Sequence, residues 1–348
     1  PKQKISEFNA LYYQTLQDTL AQGLMGTEES LFTLLLYQHP DLFSYALIEE
    51  NGIVAKFFED LKCDRVQLLT TKGIKEAKKA RKVGLYVITF NSPNQLDALA
   101  ESMLRYDPDF IHVPVKVLLD NSSDLTTFKD YALLCQKYGF EHVKKDNLGI
   151  CGGRQWIAED AEARGLTHYF FFEDDMLLTN PLPSTCKNGL NRWVTNLYEK
   201  SLALVERTKV DFLKLSFTEF YGDNKTQWAW YNVPQSVRDE HWPTNSRLPE
   251  HGLSNTSPLT EFKNLYLEQG LLMATGDIYY CNWPQLVSRD GNRKMFLDVT
   301  WSRPYEQTWM SYIFQETKKE NIHPGILLLS PIEHNRFEFY GADLRKES

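Results

Sequence analysis

The chain has 348 residues, 42% of them hydrophobic, which suffices for two domains with a buried core. Its formal net charge of −8 provides no global attraction to nucleic acid or to an anionic membrane surface. No apolar run approaches the ~20 residues of a membrane span, and the cysteines form no CxxC pair, which argues against a disulfide framework and a structural zinc site. We therefore expect a soluble, cytoplasmic protein. Because the sequence begins at Pro1 rather than Met, this expectation leaves room for a targeting segment or a further domain upstream.

The first 50 residues favour helices. Apolar residues recur at helical spacing in residues 8–20, and a second apolar run follows at Leu31–Leu36. Residues 72–82 are rich in Lys and Arg, which is typical of a solvated linker helix. The sequence thus predicts a helical accessory segment and linker at residues 1–78, followed by a second domain at residues 79–348.

From residue 85 onward, short β-rich runs alternate with helical patterns. Strands are predicted at 85–90, 115–119, 141–144 and 167–172, and helices at about 94–105, 124–138 and 152–164. This alternation indicates an α/β fold with a mostly parallel, doubly wound sheet. Such sheets bind ligands beyond the carboxyl ends of their strands, so functional residues are expected there.

An acidic triplet follows the most apolar of these strands. Residues 168–172 predict a buried central strand, and it runs directly into Glu173, Asp174 and Asp175. Three adjacent carboxylates repel one another unless a cation holds them, and oxygen ligands suit Mn²⁺ or Mg²⁺. The alternative is an acidic surface turn, although the five preceding residues are too apolar for a peripheral strand.

Taken in order, these strand ends resemble the nucleotide-binding half of GT-A glycosyltransferases, including the large inverting family 2. The resemblance covers residues 83–180 and depends on the segments Thr89-Phe90-Asn91-Ser92, Asp120 to Asp124, Asn147-Leu148-Gly149, and Phe171 to Asp175. It implies a Rossmann-like GT-A fold and a nucleotide-sugar donor, with a UDP-sugar as the first guess. It also implies that the acidic triplet matches the Asp-x-Asp metal motif (DxD) of that family, although here the triplet begins with Glu.

The resemblance also implies roles for individual residues. Asp175 would be the direct metal ligand, with Asp174 toward the ribose or a metal-bound water and Glu173 a further metal ligand. The base and ribose would be surrounded by Thr89, Asn91 and Asp120. In the glycine-containing turn of residues 147–154, the expected nucleotide contacts are Asn147, Gly149 and Arg154, the last toward phosphate charge.

Beyond residue 180 the sequence predicts a helix from about Asn188 to Val205, a strand at 211–217 and a Trp-rich stretch at 228–252. That stretch resembles an acceptor loop, with a self-packed surface loop as the alternative. Residues 268–277 are similar to the segment that lines the sugar and acceptor pocket. Asp277 lies in it and is a second candidate for the catalytic base, although Thr275 to Asp277 would equally make a turn and N-cap.

Two later residues complete the predicted chemistry. Glu306 opens a predicted helix at the place where inverting GT-A enzymes carry their catalytic base, although a favourable first-turn acid is the alternative. His334 follows a predicted strand at 326–329 and resembles the C-terminal His that completes metal coordination in some of these enzymes. A purely structural His is the alternative.

Three other interpretations of the sequence stay open. A nucleotidyltransferase would use a similar sheet, but residues 89–93 lack its glycine-rich, basic loop. A non-catalytic module that binds nucleotide or glycan would have little need of all three acids. The acceptor is expected to be a hydroxyl of a glycan or protein, with hydroxymethylated pyrimidines in DNA as the alternative, against which the acidic net charge speaks.

Overall fold

A computed structural model describes residues 2–21, 31, 35, 38, 67–70, 81–180, 192, 194–217, 261–268, 270–301 and 306–334. The chain divides into two units, residues 1–68 and 69–348. The predicted domain boundary between residues 78 and 79 lies outside the described residues and stays a prediction. None of the described helices combines the length and the apolarity that a membrane crossing requires.

The first unit contains the predicted helix near the N-terminus. Helix α1 covers Lys2–Ala21. Leu31 and Leu35 are buried and helical, one helical turn apart, within the second predicted helix. Strand β1, Gln67–Thr70, spans the division between the two units.

Four parallel strands form one block of the large sheet in the second unit. They are β2 (Val83–Thr89), β3 (Val115–Asp120), β4 (Glu141–Lys144) and β5 (His168–Glu173), and they lie in the order β4-β3-β2-β5. The elements that connect them are α2 (Pro93–Tyr106), α3 (Asp109–His112), a 3₁₀ turn (Leu125–Thr127), α4 (Phe128–Tyr138) and α5 (Gly149–Ala163). The predicted alternation of strands and helices is confirmed.

The rest of the second unit extends this sheet with mixed strands. Its elements are β6 (Met176–Leu178), α6 (Leu197–Thr208), β7 (Phe212–Lys214), β8 (Glu261–Glu268), β9 (Leu271–Asp277), β10 (Gln285–Ser288), α7 (Arg289–Asn292) with a π-helical turn (Arg293–Leu297), α8 (Glu306–Lys318), β11 (Pro324–Leu327) and β12 (Ile332–His334). Beyond β5 the sheet continues in the order β10-β7-β11-β9-β8. β10 is antiparallel to both β5 and β7, while β12 pairs with β6 in a separate two-stranded sheet.

The sequence explains why these elements form where they do. β2 is buried along its whole length and β5 over residues 169–172, so both strands are almost continuously apolar, as expected of parallel strands covered on both faces. Helix α4 ends at Gly139, which adopts the left-handed conformation (φ 73°) that terminates many helices. The core is rich in aromatic rings, for example Phe110 packed edge-on against Phe170 and Phe172.

Three helix starts differ from the sequence prediction. α4 begins at Phe128 rather than near residue 124, because Leu125–Thr127 form a 3₁₀ turn. α5 begins at Gly149 rather than Gly152, because the Asn147 side chain accepts a hydrogen bond from the Gly149 N–H and starts the turn earlier. α6 begins at Leu197 rather than near Asn188, because Asn196 has left-handed backbone angles that a helix cannot continue. The Trp-rich stretch at 228–252 lies outside the described residues.

Candidate active site at the sheet switch point

A cavity of about 270 Å³ opens at the carboxyl ends of β2 and β5. β3 and β4 lie on one side of β2, and β5 lies on its other side. The winding direction of the sheet therefore reverses between β2 and β5. Doubly wound sheets bind ligands at this reversal. Six of the residues predicted from the sequence line the cavity: Thr89, Asn147, Gly149, Glu173, Asp174 and Asp175.

Asp174 lines the cavity but is almost completely buried. It is only 5% exposed, and one of its carboxylate oxygens accepts a hydrogen bond from the Thr89 hydroxyl. Burial raises the pKa of Asp174 to about 8, against the opposing effect of the Thr89 hydrogen bond and with the help of the neighbouring Asp175 charge. The Thr89 hydroxyl lies 2.7 Å from the Tyr131 hydroxyl, which accepts the Ser92 N–H at 2.7 Å.

Asp175 faces a different partner. The β6–β12 pairing sets His334 opposite Met176, and this register brings the His334 Nε2 to 3.0 Å from one Asp175 oxygen. The other oxygen, Oδ1, is buried and has no hydrogen-bond partner in the described part of the chain. A buried carboxylate oxygen without a partner is costly, so this atom is suited to accept a ligand, such as a water or an ion, that the described residues do not supply.

Asp175 and His334 fit a divalent cation in part. Among the described residues, no group of three or more His, Cys, Asp or Glu side chains is arranged to hold a metal ion. The unpaired Asp175 oxygen and the His334 imidazole, which is 28% exposed, would supply two ligands. Mg²⁺ and similar ions commonly take only one or two protein ligands and complete their coordination with phosphate oxygens and water. Glu173 lines the same cavity from the end of β5.

The loops after β2 and β3 are fastened together beside the cavity. Asn91 has left-handed backbone angles, and its side chain accepts the Asp124 N–H at 2.9 Å while donating to Ser123. Asp120 is fully buried and lies 3.0 Å from the His142 imidazole. Asn91 and Asp120 therefore shape the loops around the cavity without lining it.

The start of α5 forms another wall of the cavity. The Asn121 side chain donates to the Gly149 carbonyl at 3.1 Å and fixes this first turn against the end of β3. Arg154, one turn further along, lies in the core rather than at the cavity surface and has no exposed area. Its guanidinium lies 3.6 Å from the ring centre of Phe171.

The two predicted candidates for the catalytic base lie in different places. Glu306 opens α8 and accepts a hydrogen bond of 2.9 Å from the Asn282 side chain. Burial, with a smaller contribution from the Glu306 charge, raises the pKa of the Cys151 thiol in the first turn of α5 to about 12. Asp277 ends β9 and forms an ion pair of 3.2 Å with Lys263. Neither Glu306 nor Asp277 is among the residues that line the cavity.

Sequence reasoning missed several residues that shape this site. Phe90 lines the cavity with a ring that is 38% exposed, and Asn121 and Ile150 line it as well. Phe90 and Asn121 directly follow strands, which is the signal that would have found them. Tyr131 and Asn282 reach the site through contacts between distant segments, and no local pattern marks them.

Comparisons with known proteins give structural matches of low similarity only. No protein-family model matches the sequence, and no curated protein matches it either. Similar solved structures include GalNAc-T7 with UDP, GalNAc and Mn²⁺ (12% identity, TM-score 0.42, 72% of this chain and 43% of that chain). Others are the mannosyltransferase PcManGT from Pyrobaculum calidifontis with GDP-Man and Mn²⁺ (10%, 0.30, 59% and 46%) and a cytidylyltransferase from Leptospira borgpetersenii (10%, 0.34, 75% and 80%).

Because the TM-scores are all below 0.5, these likenesses carry no argument about the fold or the function of this chain. The chain spans less than half the length of the two glycosyltransferase chains. The parallel block and its connecting helices show the predicted α/β, doubly wound arrangement in the second unit.

Proposed function

We propose that the chain is a metal-dependent glycosyltransferase that moves a sugar from a nucleotide-sugar donor to an acceptor hydroxyl on a glycan or protein. The observation that carries the proposal is Asp175, which lines the cavity at the switch point of the sheet. One of its oxygens lies 3.0 Å from His334, and the other is buried without a partner among the described residues. A diphosphate bridging to a cation would satisfy that oxygen. A UDP-sugar is the first candidate donor.

The remaining walls of the cavity suit the other parts of such a donor. The exposed ring of Phe90 provides a flat apolar face for the base or ribose. The first turn of α5, beginning at Gly149, presents backbone N–H groups and the positive end of a helix dipole, both of which favour phosphate. Asn121 and Asn147 add amide groups that discriminate between polar ligands by hydrogen bonding.

The proposed reaction is a single displacement. The acceptor oxygen forms a bond to the anomeric carbon while the bond from that carbon to the diphosphate breaks, which inverts the configuration. Glu306 accepts the proton of the acceptor hydroxyl, and the bond electrons leave with the nucleoside diphosphate. A cation held by Asp175 and His334 would offset the charge of the departing diphosphate.

The proposal is tested by ligand-dependent melting. UDP, which is named with the GalNAc-T7 structure, and GDP, the nucleotide of the GDP-Man named with PcManGT, are added separately with and without Mn²⁺. A ligand at 100 times its Kd stabilises the folded state by about 2.7 kcal/mol, which corresponds to several degrees in melting temperature. We expect a rise only when nucleotide and metal are both present, and nucleoside diphosphate release from a panel of nucleotide sugars then identifies the donor.

Two variants make the test specific. Asp175→Asn removes the proposed ligand charge and should abolish the joint effect of nucleotide and Mn²⁺. Glu333→Gln removes a charge from the same small sheet, but that side chain is half exposed and pairs with Arg192, so it should leave the effect intact. If no nucleoside diphosphate shifts the melting curve of the wild type under any metal condition, the nucleotide-sugar proposal is wrong.

A further inference from the structure

Arg154 is a buried cation whose position the cavity does not explain. Its side chain has no exposed area, and it forms no ion pair with any described carboxylate. The guanidinium packs against Phe171 and Phe296, and its Nε and Nη1 have no hydrogen-bond partner among the residues that the structure describes. Burying an unpaired charge is costly, which points to a purpose other than stability. The hydrogen bond that Arg154 does make, from Nη2 to the Tyr280 hydroxyl at 3.0 Å, leads toward Glu306.

The contacts from Arg154 to Glu306 form a chain with a fixed direction. Arginine only donates hydrogen bonds, so the Tyr280 oxygen accepts from Arg154 and its own proton is free to donate onward. The Tyr280 hydroxyl donates to Asn282 Oδ1 at 3.4 Å. Because the Asn282 oxygen accepts from Tyr280, the Asn282 Nδ2 faces Glu306 and donates to its Oε1 at 2.9 Å. Gln285 Nε2 also donates to the Tyr280 hydroxyl, at 3.4 Å, and reinforces this direction.

We propose that Asn282 is the positioning residue for the catalytic base Glu306, and that Arg154 and Tyr280 fix the orientation of its amide. Asn282 is only 5% exposed, so water does not easily replace it. Its N–H group satisfies one carboxylate oxygen of Glu306 and leaves the other for the acceptor proton. This inference rests on the proposed function, since it takes Glu306 as the base.

The expected effect is on turnover rather than on donor binding. A misplacement of about 1 Å costs on the order of 10²-fold in rate, so Asn282→Ala should lower kcat by about 10- to 100-fold. The KM for the donor should stay unchanged, because none of the hydrogen-bonded side chains from Arg154 to Glu306 lines the cavity. Tyr280→Phe keeps the buried ring but frees the Asn282 amide to rotate, and we expect a smaller loss of kcat with the donor KM again unchanged.

A double-mutant cycle separates positioning from a structural role. Asn282→Ala, Glu306→Gln and the double variant are compared by kcat per folded protein. If Asn282 acts through Glu306, its substitution has no further effect once Glu306 is Gln, so the two losses are not additive. Asn292→Ala is the matched control, because Asn292 is another buried asparagine that bonds the Ala158 carbonyl and the Tyr169 hydroxyl. It should lower the melting temperature and leave kcat unchanged.

The possible failures are distinguishable. If the wild type is active and the two losses are additive, the positioning role is wrong and the proposed function stands. The same holds if Asn282→Ala changes the donor KM rather than kcat. A wild-type protein that neither binds nucleotide with metal nor transfers sugar would overturn the proposed function and this inference with it.

Discussion

Replacing Asp174 with Asn should remove a pH dependence of stability that the buried carboxyl imposes. Burial raises the pKa of Asp174 from its ordinary value of 3.8 to about 8. The folded state therefore holds this proton more tightly than the unfolded state, so the stabilisation is complete below about pH 4 and is lost as pH rises toward 8. One proton contributes about 1.36 kcal/mol per pH unit, which gives an upper value of about 4 kcal/mol between pH 5 and pH 8. Asn keeps an oxygen to accept the Thr89 hydroxyl but does not titrate.

Urea denaturation at several pH values between 5 and 8, in the presence of a chelator, measures this difference. We expect the free energy of unfolding of Asp174→Asn, minus that of the wild type, to increase steadily as pH rises. Asp120→Asn is the control. Burial opposes the charge of Asp120, but hydrogen bonds from His142 and Ser122 outweigh burial and hold its pKa below the ordinary value, so its contribution is lost as pH falls. A difference between Asp174→Asn and wild type that does not change with pH would refute the reasoning.

Other substitutions test separate parts of the site and fold. Glu306→Gln should lower transfer by about 10²- to 10⁴-fold with donor affinity unchanged, and wild-type transfer by this variant would move the base elsewhere. Asp175→Asn should abolish transfer with an unaltered circular dichroism spectrum, and chelation should abolish wild-type transfer until Mn²⁺ is restored; full activity in excess chelator would contradict the metal role. Gly291→Ala would place a Cβ 2.0 Å from the Asp211 carbonyl oxygen, so we expect a loss of about 3 kcal/mol or more, measured by urea denaturation. Gly165→Asn, in open space with φ +65°, should cost far less, and equal losses in the two would contradict the packing argument.

The elements of the parallel block could be predicted because local pattern decides them. β2, β3 and β5 are largely apolar runs that end at polar residues, and Gly139 marks the end of α4 as the sequence suggests. The acidic triplet could be placed at the end of a central strand because residues 168–172 are too apolar for a peripheral strand. The winding reversal between β2 and β5 then brings Thr89 beside Asp174.

Arg154 shows where local reasoning failed although a signal was present. Its neighbouring glycines suggested a phosphate contact, yet Cys151, Arg154, Ile157, Ala158 and Ala161 share one face of α5, and that face is buried. Helical periodicity, weighed above proximity to the glycines, would have placed Arg154 in the core. The link from Asn282 to Glu306 and the approach of His334 to Asp175 depend on the pairing of distant segments, which no single-sequence pattern specifies.

β10 closes the edge of β5, and it is supplied from far along the chain. During synthesis on the ribosome, β5 emerges long before residues 285–288 are made. The edge of β5 that pairs with β10 therefore stays unpaired until then. An open apolar edge is a template for pairing with other chains, which makes partial products of this protein prone to aggregate. Expression designs that stop after the parallel block should therefore yield insoluble material, whereas chains that extend through β10 can complete the sheet.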